Sequence, residues 1–179
     1  MDDAAGRLRI RPASDPNAGQ IEVSVRDKGM YARGRSHIVV RGIRVEHVST
    51  ETWIGALSLG DHGTVEDCRV EFNNGHGIAM ESNAVIVRTV SNHNGRIGID
   101  LSGSNNCLID SSETSHNSWR YGPAFAAGGI KLVSVGTAFG NRIVRHTARF
   151  NNGYGIFFDT VASGNVIEAS VLEGNMISE

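Results

Sequence analysis

One phrase recurs along the chain: FNNGHGIAMES at residues 72–82, SNHNGRIGIDLSG at 91–103 and FNNGYGIFFDT at 150–160. Each copy passes from an Asn- and Gly-rich stretch through Gly-Ile into a short apolar run. A period of this kind means that one small unit is built repeatedly and buries its apolar face only by stacking on its neighbours. The apolar runs alternate over four or five residues, which is the period of a half-buried strand. No stretch carries a helical stripe. The unit is therefore strand, turn, strand, turn, strand.

Gly55, Gly77, Gly98, Gly129 and Gly155 mark successive units at spacings of 22, 21, 31 and 26 residues. The expected fold is all-β: a right-handed parallel β-helix of about six rungs, forming one domain over 1–179. Residues 1–30 alternate like a strand but match no repeat, and serve as a leading strand or cap for repeats over 31–179. The last residues, NMISE, stop where another strand should run. The chain is expected to be a section of a longer solenoid, or to be completed by an oligomer or further rungs at its open ends.

Aligned copies place Asn74, Asn94, Asn117, Asn152 and Asn175 in one turn column, with His47 in an earlier copy. An asparagine has both a donor and an acceptor, so a column of them can bond to itself from rung to rung as a ladder. Nine residues before these asparagines stand Val65, Val85, Leu108, Ile143 and Val166, expected as an interior column. Four residues before them stand Val70, Val90, Glu113, Ala148 and Val171. His93 and His116 precede ladder asparagines and read as half-exposed stack neighbours. No carboxylate joins them, so no metal is expected.

Composition narrows the function. Net charge is −2 and no basic stripe is present, which argues against nucleic acid. No apolar run reaches the roughly 20 residues of a membrane span. MDDAAGRLRI holds no hydrophobic signal core; the parent protein is still expected outside the cytoplasm, in an extracellular or periplasmic setting. Cys68 and Cys107 have no metal or redox spacing and read as interior residues.

Departures from the repeat are where chemistry is sought. With Ile78, Ile99, Ile130 and Ile156 in register, the position three residues on holds Glu81, Ser102, Val133 and Asp159. Glu179 follows at or near the same column one rung later. Adjacent rungs lie about 4.8 Å apart, close to the roughly 5–5.5 Å that separates the two carboxyls of a retaining glycosidase. Two solvated carboxylates on an outer face would show the same spacing. One residue after the isoleucines stand Ala79, Asp100, Lys131 and Phe157, so Asp100 and Lys131 are expected to pair. Lys131 is also a candidate Brønsted base for a polysaccharide lyase. The long spacing before Gly129 holds SWRYGPAFAAGG, whose Trp119, Tyr121 and Phe125 offer aromatic surface to sugar rings.

The run RLRIRPASDPN…IEVSVRDKGMYARGRSHIVVRGIRVEHVS, then GGIKL, then GYGIFFDT and a closing Glu, resembles the β-helix glycoside hydrolases of family 141. Their relatives include the β-xylosidases of family 120. The resemblance implies Asp159 as nucleophile and Glu179 as acid/base. Trp119, Tyr121, Lys131, Asp100 and Glu81, which stand in the long insertion or at departures from the repeat, are the expected substrate-binding residues. The chain has FFDT where the family often has Trp-Leu-Asp-Trp. GGIKL also resembles the lysine segment of pectate lyases, without their acidic calcium cluster. The function expected is that of a polysaccharide-active β-helix, a retaining glycoside hydrolase first. A Lys131 lyase, or a non-catalytic glycan-binding or structural β-helix, remains the alternative. The partner is a polysaccharide or oligosaccharide, and no cofactor is called for.

Overall fold

The computed structural model describes residues 23–50, 53–120, 127–133, 138–160 and 163–176. Seventeen short strands, numbered in chain order, run through these residues, and they pair in parallel throughout. The longest sheet joins β1 (Met30–Ala32), β4 (Gly55–Leu59), β7 (His76–Met80), β9 (Ile99–Asp100), β12 (Gly128–Val133) and β15 (Tyr154–Asp159) in that spatial order. A second sheet joins β2 (Val39–Arg41), β5 (Thr64–Glu66), β8 (Val85–Val87), β10 (Leu108–Asp110), β13 (Arg142–Val144) and β16 (Val166–Glu168). The third side is β3 (Arg44–Glu46) with β6 (Arg69–Glu71), and β11 (Glu113–Ser115), β14 (Thr147–Arg149) and β17 (Val171–Glu173), linked by bridges through Val90. Each coil contributes one strand to each side, save that the coil of β7 and β8 meets the third side through Val90 alone, so the chain is a parallel β-solenoid.

Three corners turn each coil, and each uses one residue in the left-handed region. His37, His62, Asn83, Asn106, Gly140 and Gly164 make the first corner. Gly42, Asp67, Arg88, Ser111, Arg145 and Ala169 make the second, and His47, Phe72, His93, His116, Phe150 and Gly174 the third. Most are not glycine, a conformational cost of about 1 kcal/mol each that the stacked hydrogen bonds must offset. Turns of this kind let a coil close without proline.

The interior is apolar and layered. Leu57, Ile78, Ile99, Ile130 and Ile156 stand in register across the long sheet, as the repeat requires. Opposite them, the second sheet stacks Val40, Val65, Ile86, Ile109, Ile143 and Ile167. Fully burying such a side chain is worth about 1.5–3 kcal/mol.

This inner column corrects the sequence alignment by one residue. Val85 is only half-buried and Val166 is exposed, because they stand beside Leu108 and Arg142 on the outer side of the strand. A slip of one residue exchanges the two faces of a strand. The position intolerant of a carboxylate is therefore Ile86, not Val85.

The asparagine column moves with it. Asn73, Asn94, Asn117, Asn151 and Asn175 are joined side chain to side chain, each amide donating to the next carbonyl oxygen at 2.9–3.1 Å. Asn74 and Asn152 are outside the column. Counted from these asparagines, the inner residues lie eight and three positions earlier in every coil. The glycine four residues after the asparagine is a packing requirement: a Cβ on Gly98 would meet Asn117 Nδ2 at 2.7 Å, and one on Gly155 would meet Asn175 Nδ2 at 2.7 Å. A shorter ladder at the first corner runs from the Cys107 N–H to Asn141 Oδ1 and on to Asn165 Oδ1.

Two histidines are enclosed without charge. His146 lies inside the solenoid with Nε2 2.8 Å from Thr114 Oγ1, and burial pushes its pKa down to about 3. His76 is held at about 4, chiefly by burial. Both lie below the ordinary value of 6.5, so the folded chain binds fewer protons than the unfolded one in acid. The stability they leave intact at neutral pH is lost progressively as pH falls below 6.5 toward these values. The expected result is a melting temperature that falls through this window, with a shallower fall in His146→Gln; equal slopes for the two proteins would contradict it.

Candidate functional site

The outer face of the long sheet carries the polar departures. Alternation with Leu57, Ile78, Ile99, Ile130 and Ile156 turns Ser58, Ala79, Asp100, Lys131 and Phe157 outward, in register from strand to strand. These outward positions are nonetheless covered. Lys131 is 1% exposed, Asp100 6% and His76 0%. A lysine is almost never so deeply buried unless paired.

Lys131 Nζ lies 3.1 Å from Asp159 Oδ2 and 4.8 Å from the centroid of the Phe157 ring. The salt bridge expected with Asp100 is replaced by this diagonal one, because Asp159 stands opposite Val133, two residues along β12. Asp100 is turned instead onto its own strand end, where its carboxylate accepts the Ser102 N–H at 3.1 Å and the Ser102 hydroxyl. Glu81 lies at the same edge, 3.6 Å from Arg33 Nε.

His76 and its cover escaped the sequence argument. Its Nδ1 accepts the Ile97 N–H at 3.2 Å, which puts the proton on Nε2, and buried Nε2 has no hydrogen-bond partner. The Trp53 ring packs against His76 at 6.0 Å, and the Arg96 guanidinium lies 4.5 Å from the Trp53 ring. The available signal was the variable residue of Gly-x-Gly-Ile, which is His76 in one copy and Tyr154 in another.

Trp119 goes elsewhere. Its indole N–H donates to the His93 carbonyl at 3.0 Å, and it lines a groove of about 480 Å³ with Phe72, His93, His116 and Phe150. Those rings are the side chains of the third corner, and His93 and His116 stack at 4.8 Å. Tyr121, Phe125 and Glu179 lie outside the described residues. By count, Glu179 follows Asn175 by four residues, as Gly155 follows Asn151, whereas Asp159 follows Asn151 by eight. Among the described residues no three His, Cys, Asp or Glu side chains are grouped to hold a metal.

The family model for the right handed beta helix region matches residues 28–178. The chain belongs to this family. No curated protein sequence matches. Among solved structures, this β-helix is similar to pectate lyase Pel9A, with 18% identity over 74% of this chain and 37% of that one, and a TM-score of 0.56. It is similar to the A-module of mannuronan C-5 epimerase AlgE4 from Azotobacter vinelandii, with 16% identity, 85% and 42% coverage and a TM-score of 0.56. The AlgE6 A-module of the same organism gives 16%, 77%, 39% and 0.50. The β-helix spans about two-fifths of the length of these chains, and at such identity the likeness is one of fold. The resemblance to glycoside hydrolase family 141 gains no support from these matches. Fold alone does not choose among a hydrolase, a lyase and a binding module.

Proposed function

We propose that this β-helix acts on a uronate polysaccharide across the outer face of its long sheet, with Lys131 as the base that takes the proton from C-5. The observation that carries this is the buried Lys131–Asp159 pair at 3.1 Å. Structural neighbours named as a pectate lyase and as mannuronan C-5 epimerases lend support to a uronate. Eliminative cleavage and C-5 inversion share a first step, loss of the proton α to the sugar carboxylate. The resting pair holds an ammonium; once it has released a proton to solvent, the free amine of Lys131 accepts the C-5 proton. Asp159 orients the amine and stabilises the ammonium that results, as the carboxylate partner of a general base does. Elimination of the 4-O-substituent, which leaves as the hydroxyl end of the cut chain with a proton from water, then gives an unsaturated sugar, and return of a proton from water to the opposite face gives the epimer.

Retaining hydrolysis by Asp159 and Glu179 has less behind it. Such a nucleophile requires a second carboxyl about 5–5.5 Å away, and the near neighbour of Asp159 is an ammonium. The test is incubation with pectate and with mannuronan, followed by ultraviolet absorbance for unsaturated ends and proton NMR for C-5 inversion. Either product supports the lysine reading. New reducing ends without unsaturation or inversion, lost in Asp159→Asn, would replace it with hydrolysis.

A further inference from the structure

His76 is a fully buried side chain with a hydrogen-bond donor that has no partner among the described residues. A buried unpartnered donor costs about 1–3 kcal/mol, so its retention calls for a ligand atom. The group is neutral above pH 5, since its pKa is about 4, and the Ile97 N–H fixes the tautomer. Nε2 is thus a permanent donor. Its surroundings are charged: Asp100, Arg96, Arg33 and Lys131 all act on it electrostatically. Asp159 balances Lys131 and Glu81 balances Arg33, while the Arg96 guanidinium lies on the Trp53 ring that covers His76; an N–H donor close to a guanidinium suits an acceptor that carries negative charge. Gly55 stands beside His76 in the preceding strand, where a Cβ would meet the Ala79 nitrogen at 2.6 Å and the Leu57 carbonyl oxygen at 2.8 Å, so that flank is closed by backbone. Trp53 is the outermost part of the cover, being 56% exposed.

We propose that His76 Nε2–H binds the carboxylate of an acidic sugar, and that the sugar reaches it by displacing Trp53 from the His76 ring. The site then has two parts on one sheet face, a carboxylate-binding His76 beneath the Trp53–Arg96 layer and the Lys131–Asp159 pair two strands away. His76 is a positioning residue for the uronate. This inference rests on the uronate reading above.

The chain holds two tryptophans, Trp53 and Trp119, so Trp119→Phe leaves Trp53 as the sole reporter. In that background, titration with oligogalacturonate and oligomannuronate should give a saturable change in Trp53 fluorescence, equal at pH 5.5 and 8. His76→Phe retains a ring against Trp53 and removes the donor; it should weaken binding about tenfold, the effect of losing one hydrogen bond to a charged group. His76→Gln restores a donor and should recover most of the affinity, with unchanged melting temperature as the check on folding. Equal affinity in the His76→Phe protein overturns the role of His76 and leaves the uronate reading standing. No binding of either oligouronate by the parent overturns both. Equal binding of uncharged oligogalactose overturns the carboxylate assignment alone.

Discussion

Lys131→Met is expected to abolish turnover of a uronate polymer and to destabilise the fold by about 3 kcal/mol. The two effects have separate causes. Turnover is lost because a thioether accepts no proton. Stability is lost because Asp159, mostly buried at the end of β15, keeps its charge without a cation. Removing one member of a buried ion pair costs roughly 3–5 kcal/mol, whereas replacing both members is often nearly neutral. The double substitution Lys131→Met with Asp159→Asn should therefore regain most of the lost stability and remain inactive. Urea unfolding and a product assay on the four proteins of this cycle separate the roles. A double variant as unstable as Lys131→Met would mean that Lys131 stabilises by packing on Phe157 rather than by its charge. Full turnover by Lys131→Met would remove it from the chemistry.

Asn94→Ala is expected to be the most damaging single change in the solenoid wall, at about 4 kcal/mol or more. The Asn94 amide donates to the Val70 carbonyl at 3.0 Å, to Ser91 Oγ at 3.2 Å and to Asn117 Oδ1 at 3.1 Å, and its carbonyl accepts from the Asn73 amide at 3.0 Å. Alanine leaves several of these groups buried and unpaired at about 1–3 kcal/mol each. Asn74→Ala, one coil earlier and one residue off the ladder, keeps the backbone bond from its N–H to Val48 O at 2.9 Å and should cost less than about 1 kcal/mol. Denaturant midpoints for the two variants test the register directly. Comparable losses would return Asn74 to the column.

The one-residue error in that column was avoidable. The residue before the first four ladder asparagines is Phe72, His93, His116 or Phe150, and Gly174 precedes Asn175. Had the aromatic ring been the alignment mark, Asn73 and Asn151 would have fallen into place. The doubled Asn-Asn of FNNG hid this, because either asparagine satisfies a pattern built on Asn and Gly alone. The candidate site was legible in part. Asp100, Lys131, Glu81 and Asp159 were found as departures from the repeat on one sheet edge, while His76, Trp53, Arg96 and Arg33 were not.

The sequence by itself determined that this chain stacks. Its alternating runs have the strand period, they are too short to bury an apolar face alone, and the Gly-Ile marks put Ile78, Ile99, Ile130 and Ile156 in register. Tertiary structure decided what lies beside what between coils. Coils of unequal length carry no internal ruler, so their relative register is set by hydrogen bonds between residues far apart in the chain, such as the Ser118 N–H to the Asn94 carbonyl and the Asn141 side-chain amide to the Ser104 carbonyl across the wall. Only that register joins Lys131 to Asp159 on the diagonal, and only the covering of the outer face turns outward-pointing Lys131, Asp100 and His76 into buried groups. Burial is a property of everything packed around a side chain, and the local pattern that places the side chain does not contain it.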